Sequence, residues 1–114
     1  MGQTALVDWR VKNFELEAGA AFAFLLDQGF TASTETPTDA ARRPSSVVVK
    51  FVHADATVET TLSLGFAGED SIYTILFTVD GSSELGPSVA HKGHEIRKAL
   101  AAHATQVRDL FGLR

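Results

Sequence analysis

Apolar residues near the start of the chain follow a helical rhythm. Phe14, Ala18, Ala21, Phe22 and Leu25 recur at i, i+4, i+7, i+8 and i+11, the spacing of one buried helix face. The pattern predicts a helix from Asn13 to Gln28, with Asn13 as N-cap and Glu15 and Glu17 in the first turn complementing the helix dipole. Gly29 fits the left-handed position just past the helix end, which lets Phe30 pack back on Leu25. Leu16 and Phe24 lie off the stripe, so either the helix is covered on two sides or Phe24 marks a contact with another chain.

The rhythm then changes to period two. Thr31 to Thr36 alternates threonines and fits a short edge strand, and Pro37 to Ser46, with Arg42 and Arg43, reads as a mobile loop. Ser46 to His53 is β-branched and aromatic and too short for a buried helix. Thr57 to Phe66 places Val58, Thr60, Leu62, Leu64 and Phe66 on one face and Thr57, Glu59, Thr61 and Ser63 on the other. Ile72 to Asp80 alternates likewise, with Tyr73, Ile75, Phe77 and Val79 opposite Ile72, Thr74, Leu76 and Thr78. The links between these runs are too short for parallel crossovers, so the strands form an antiparallel meander.

After the turn at Asp80-Gly81-Ser82-Ser83, Pro87 and Ser88 introduce a second helix carrying Val89, Ile96, Leu100, Val107, Leu110 and Phe111. Gly93 should kink or break it, and Gly112 should end it. The expected fold is α+β in class, two layers in the order α-β-β-β-α. A three- or four-stranded antiparallel meander carries both helices on one face. Phe14, Phe22, Leu62, Phe77, Ile96 and Phe111 are the expected core. With Val49, Val58, Leu62, Tyr73 and Phe77 turned toward the helices, the open face shows Val48, Lys50, Val52, Glu59, Thr61, Ser63, Ile72, Thr74, Leu76 and Thr78.

The 114 residues are room for a single domain, 1–114, and 45% hydrophobic against 21% charged is ordinary globular composition. The longest apolar run, Ala18 to Leu26, is nine residues, too short to span a bilayer. No cysteine is present, which removes disulfides, thiol nucleophiles and cysteine-held metals. No export signal is visible at Met1 to Arg10, so the expected setting is cytoplasmic.

Charge sharpens the picture. The net charge is −4, yet residues 1–87 carry five basic and twelve acidic side chains. No Lys or Arg occurs between Lys50 and Lys92, while Asp55, Glu59, Glu69, Asp70, Asp80 and Glu84 all do. Such a stretch cannot neutralise phosphates, so nucleic acid is not an expected partner. Gly65-Phe66-Ala67-Gly68 has the form of a KH-type glycine loop, but Glu69 and Asp70 follow at once and repel a phosphate backbone. A basic protein suits the field, and Glu59, Thr61, Glu69, Asp70 and Leu76 are the candidate partner-binding residues.

Catalytic chemistry finds little support. His91 and His94 lie i, i+3 beside Glu95, not in the His-Glu-x-x-His spacing of zinc proteases, so no metal or other cofactor is expected. His103 reads as a partly buried helix residue rather than a ligand. There is no Gly-x-Ser-x-Gly elbow and no phosphate-binding glycine loop of the Walker or dinucleotide type. Trp9 before the first helix reads as an anchor on the core.

Phe22-x-x-Leu25-Leu26-x-x-Gly29-Phe30, followed by Val47-Val48-Val49-Lys50-Phe51, resembles small bacterial proteins with an N-terminal helix ending in Gly-Phe, a β-meander and a closing helix. Some of these are thought to be immunity proteins for polymorphic toxins. The resemblance covers about two thirds of the chain and rests on helix-ending and strand-forming signals. It implies the fold more than the role; together with the stretch free of Lys and Arg and the missing catalytic motifs, it makes a non-enzymatic, immunity-type inhibitor with an acidic sheet face the expected function. The alternative is a homodimeric chaperone or scaffold, similar to class I secretion chaperones but without the strand pair that follows their second helix.

Overall fold

A computed structural model describes residues 2–37, 45–64, 70–90 and 93–112. Helix α1 (Gly2–Ala21) is followed, after a break at Phe22, by the short α2 (Ala23–Asp27). Five strands come next: β1 (Thr31–Glu35), β2 (Ser46–His53), β3 (Ala56–Ser63), β4 (Asp70–Thr78) and β5 (Gly81–Ala90). Helix α3 (Gly93–Phe111) closes the chain. The strands form one antiparallel sheet in the order β1-β2-β3-β4-β5. The α+β class and the meander stand as expected, and the sheet has five strands rather than three or four.

Three boundaries differ from the sequence reading. The first helix begins eleven residues before Asn13, so Asn13 is a helix-interior residue and caps nothing. A capping preference is worth only about 1 kcal/mol, and asparagine inside a helix costs less than that, so the residue type alone does not fix where the helix starts. Residues 81–90, assigned in part to the second helix, form β5, and α3 starts at Gly93. This strand lies at the sheet edge, and among the described side chains Leu85 is its one apolar residue packed against the core. It therefore lacks the alternation that marks a half-buried strand, and Pro87 fits an edge strand as well as a helix start. Gly93 opens the helix instead of kinking it.

The end of the first helical segment matches the expected motif. Gly29 has φ +91°, Phe30 N–H donates to the Leu25 carbonyl at 3.0 Å, and Gly29 N–H donates to Leu26 at 3.1 Å. These are the two bonds of a Schellman cap. Phe24 packs toward α3, with the Arg108 guanidinium 4.4 Å from its ring centre, whereas Leu16, the other residue off the stripe, is exposed. Trp9 is exposed on α1 and anchors nothing in the core.

Both helices lie on one face of the sheet, α1 over β2 and α3 over β4 and β5, and they touch each other. Phe14, Ala18, Phe22 and Leu25 meet Ile96, Leu100, Ala104 and Val107 and the inward side chains of β2 to β4. Each full burial of such a side chain contributes about 1.5–3 kcal/mol. The expected core residues Phe14, Phe22, Leu62 and Ile96 are buried, whereas Phe111 is only partly buried and Phe77 lies on the opposite face of the sheet.

Two positions generate tests. Gly86 has φ +98°, and a Cβ there would lie 2.8 Å from the Ile72 carbonyl oxygen and 3.2 Å from the His103 ring. Gly86→Ala should lower unfolding stability by about 2 kcal/mol or more in urea titrations, since both backbone and space resist it. The Asn13 carboxamide nitrogen is buried with no hydrogen-bond partner among the described residues. Asn13→Ala removes that orphan and improves helix propensity, and should raise stability by about 1 kcal/mol in the same assay.

Candidate functional site

Register decides which residues face outward. Leu62 pairs with Ile72, Thr60 with Thr74 and Val58 with Leu76, so Ile72, Thr74 and Leu76 point to the helices. Tyr73, Ile75 and Phe77 therefore occupy the open face, the reverse of the sequence reading for this strand. Both faces of β4 are apolar, and alternation alone cannot choose between them.

The open face is uncovered by any element among the described residues. One row across it runs Lys50, Glu59, Ile75, Glu84; a second runs Val48, Thr61, Tyr73; a third runs Val52, Thr57, Phe77, Ser82. Val52 and Phe77 are 45% and 39% exposed. Glu35 of β1 shares this face, lying diagonal to Lys50, and binds its ammonium at 3.2 Å. Among the described residues the face thus carries three carboxylates, Glu35, Glu59 and Glu84, and one cation already held by one of them.

The five candidate residues are not brought together. Glu59 lies half-buried on the open face, as expected. Thr61 shares that face but is 4% exposed, directly between Val48 and Tyr73 on the flanking strands. Leu76 is a core residue on the helix side. Asp70 begins β4 and is buried, where Arg10 of α1 grips both of its carboxylate oxygens, one from Nε at 2.9 Å and the other from the adjacent terminal nitrogen. This charge ties the first helix to the sheet and is not offered to a partner. Glu69 lies outside the described residues, as do all of residues 65–69. Sequence reasoning missed Tyr73, Ile75 and Phe77 because the face of β4 follows from its register with β3, and Glu84 because the residue pattern does not mark β5 as a strand. That pattern puts Glu35 on an edge strand without assigning its face.

A second polar cluster sits within the core. His103 of α3 is 2% exposed, with Nδ1 2.9 Å from Thr74 Oγ1 and Nε2 3.2 Å from Ser88 Oγ. Thr74 donates in turn to Thr60 Oγ1 at 3.0 Å. With the Thr74 hydrogen engaged there, every atom is satisfied when Nδ1–H donates to Thr74 and Ser88 O–H donates to Nε2. The Ser–His pair has the contact seen in hydrolytic dyads, but its third member is a hydroxyl rather than a carboxylate, and Gly86 closes over the imidazole edge. Neither the groove between α1 and β1 nor the shallow depression at the β2–β3 and β4–β5 turns is lined by Ser88 or His103.

Among the described residues no group of three or more His, Asp or Glu side chains is arranged to hold a metal ion. His94 is exposed on α3, and His91 lies outside the described residues. Among the described residues no helix is long and apolar enough to cross a membrane. The chain matches no family model, no curated protein and no solved structure.

Burial holds the His103 imidazole below its ordinary value of 6.5, because the charged form loses hydration and meets only hydroxyl partners among its hydrogen bonds. Well above pH 6.5 the imidazole is neutral in both states. As pH falls below that, the unfolded chain takes up a proton that the folded one refuses, so stability drops until the folded imidazole itself titrates. Chemical unfolding between pH 7.5 and 5 should show this decline, and His103→Asn should show less of it.

Proposed function

We propose that this protein is a non-enzymatic protein-binding domain, an immunity-type inhibitor that seats the open face of its sheet on a basic protein such as a toxin. One observation carries the reading: a five-stranded sheet face left uncovered among the described residues, apolar at Val52, Ile75, Tyr73 and Phe77 and edged by Glu35, Glu59 and Glu84. Aromatic and aliphatic side chains give such a surface area to bury, and the carboxylates give it a preferred partner charge. Its lone described cation, Lys50, is already paired, so the field facing a partner is negative. The same field disfavours nucleic acid. A cytoplasmic setting suits a chain that uses no cysteine.

The test is affinity capture from the native host with the partner identified by mass spectrometry, then a measured Kd. The partner should be basic, and its affinity should fall as salt rises. Glu59→Lys combined with Glu84→Lys should weaken binding about tenfold or more, and Phe77→Ala should act in the same direction. Asp70 is unsuited to this test, because removing it breaks the tie to Arg10 and unsettles the fold itself. A Kd unmoved by these open-face variants overturns the reading.

A further inference from the structure

The helix layer is narrower than the sheet beneath it. With α1 over β2, the inward side chains of β1, Ala32 and Thr34, lie beside a groove of about 420 Å³ between that strand and α1. Val49 and Phe51 form part of its floor, and Leu16 and Leu26, 75% and 47% exposed, form part of its wall. Beyond the groove runs a strand edge that is open among the described residues, where β1 pairs with β2 alone. All five residues of β1 are exposed. A strand hydrogen-bonded to this edge places alternate side chains in the groove. The opposite edge is less able to do this, because β5 carries Pro87, which has no N–H, beside a register shift.

Charge selects the occupant. The chain as a whole is acidic, but Lys12 and Glu15 both line the groove, and Glu35 at the edge is paired with Lys50. This is a neutral, apolar patch on a negative molecule. A strongly charged partner finds no complementary field there, while a second copy approaches without the repulsion that the acidic face imposes.

We propose that two copies of this chain pair through β1 about a two-fold axis at Ser33, joining their sheets into one of ten strands. Ala32 of each copy then opposes Thr34 of the other on the groove side, and Thr31 opposes Glu35 on the open side. The two Glu35 carboxylates fall at opposite ends of the pairing, separated by roughly 14 Å of strand, so they do not clash. Since β1 follows α2 through the tight turn at Gly29, Leu26 stands toward the Ala32 end of the groove. Leu16 is ten residues earlier, roughly 15 Å back along the helix. The two-fold axis sets Leu26 of one copy toward Leu16 of the other. The two β2 strands, each beneath its own α1, lie three strand spacings apart, about 14 Å, against 8–10 Å for close-packed helices. Leucine side chains from both copies fill that difference. The proposal concerns a surface separate from the open face and does not depend on its function.

Sedimentation of the full chain from about 1 to about 100 μM, spanning the usual range of weak to moderate self-association, should show a concentration-dependent dimer. Leu16→Lys and Leu26→Lys should each weaken it by about 30-fold or more, the scale of a lost central contact. Phe77→Lys, on the open face, should leave it unchanged. A chain that stays monomeric throughout, as it would if the groove served a peptide of another protein, overturns the proposal. So does a dimer that survives Leu16→Lys or one that Phe77→Lys dissolves. Amide hydrogen exchange on the unaltered chain gives a reading free of any folding defect in the variants. Thr31 to Glu35 should gain protection as concentration rises, and protection independent of concentration overturns the pairing.

Discussion

His103 is the polar side chain that α3 carries into the core, and what it meets there fixes how helix and sheet sit on each other. An apolar stripe such as Ile96, Leu100, Ala104 and Val107 can slide over a flat apolar surface with modest loss. An imidazole cannot, because each unsatisfied buried nitrogen costs about 1–3 kcal/mol. Three hydroxyls from three adjacent strands, Thr60, Thr74 and Ser88, complete the network in one alignment. Gly86 is bare because the imidazole and the Ile72 carbonyl already occupy the space a side chain needs. The irregular pairing of β5 in this region therefore sits directly against the network that locates α3.

Much of the scaffold was legible in the residue pattern, and the exceptions share a cause. The apolar stripe through Phe14 and Leu25, the Gly29 cap and the three central strands all rest on local spacing, which needs no knowledge of neighbours. The strand β5 does not, since an edge strand with one buried apolar residue has little alternation to show. The face of β4 is also non-local: Ile72 and Leu76 match Tyr73 and Phe77 in hydrophobicity, and only pairing with β3 decides between them. That reversal moved Leu76 into the core and brought three unforeseen side chains to the candidate surface. Asp70 shows the same limit for charge. Its acidity is plain in the sequence, but the Arg10 that engages it lies sixty positions away.

The molecule separates its charges by use. Arg10–Asp70 and Arg97–Glu17 join elements far apart in the chain, the first part-buried and the second an exposed bridge between α1 and α3. Exposed pairs of the second kind add little to stability, and the first fastens the middle of α1 to the start of β4. On the open face Glu35 pairs with Lys50 across two neighbouring strands, whereas Glu59 and Glu84 bridge no distant elements among the described residues. A surface that the fold does not need in order to stand is the one free to answer to a partner.

The two margins of the sheet are unequal, and this bears on solubility at high concentration. Proline at one margin withholds a donor, while the other margin is short, polar and regular. Stacking sheets end to end into a fibre requires both margins to accept strands. Here growth would stop after one event, so the architecture tolerates a sticky border without opening a route to unlimited polymerisation.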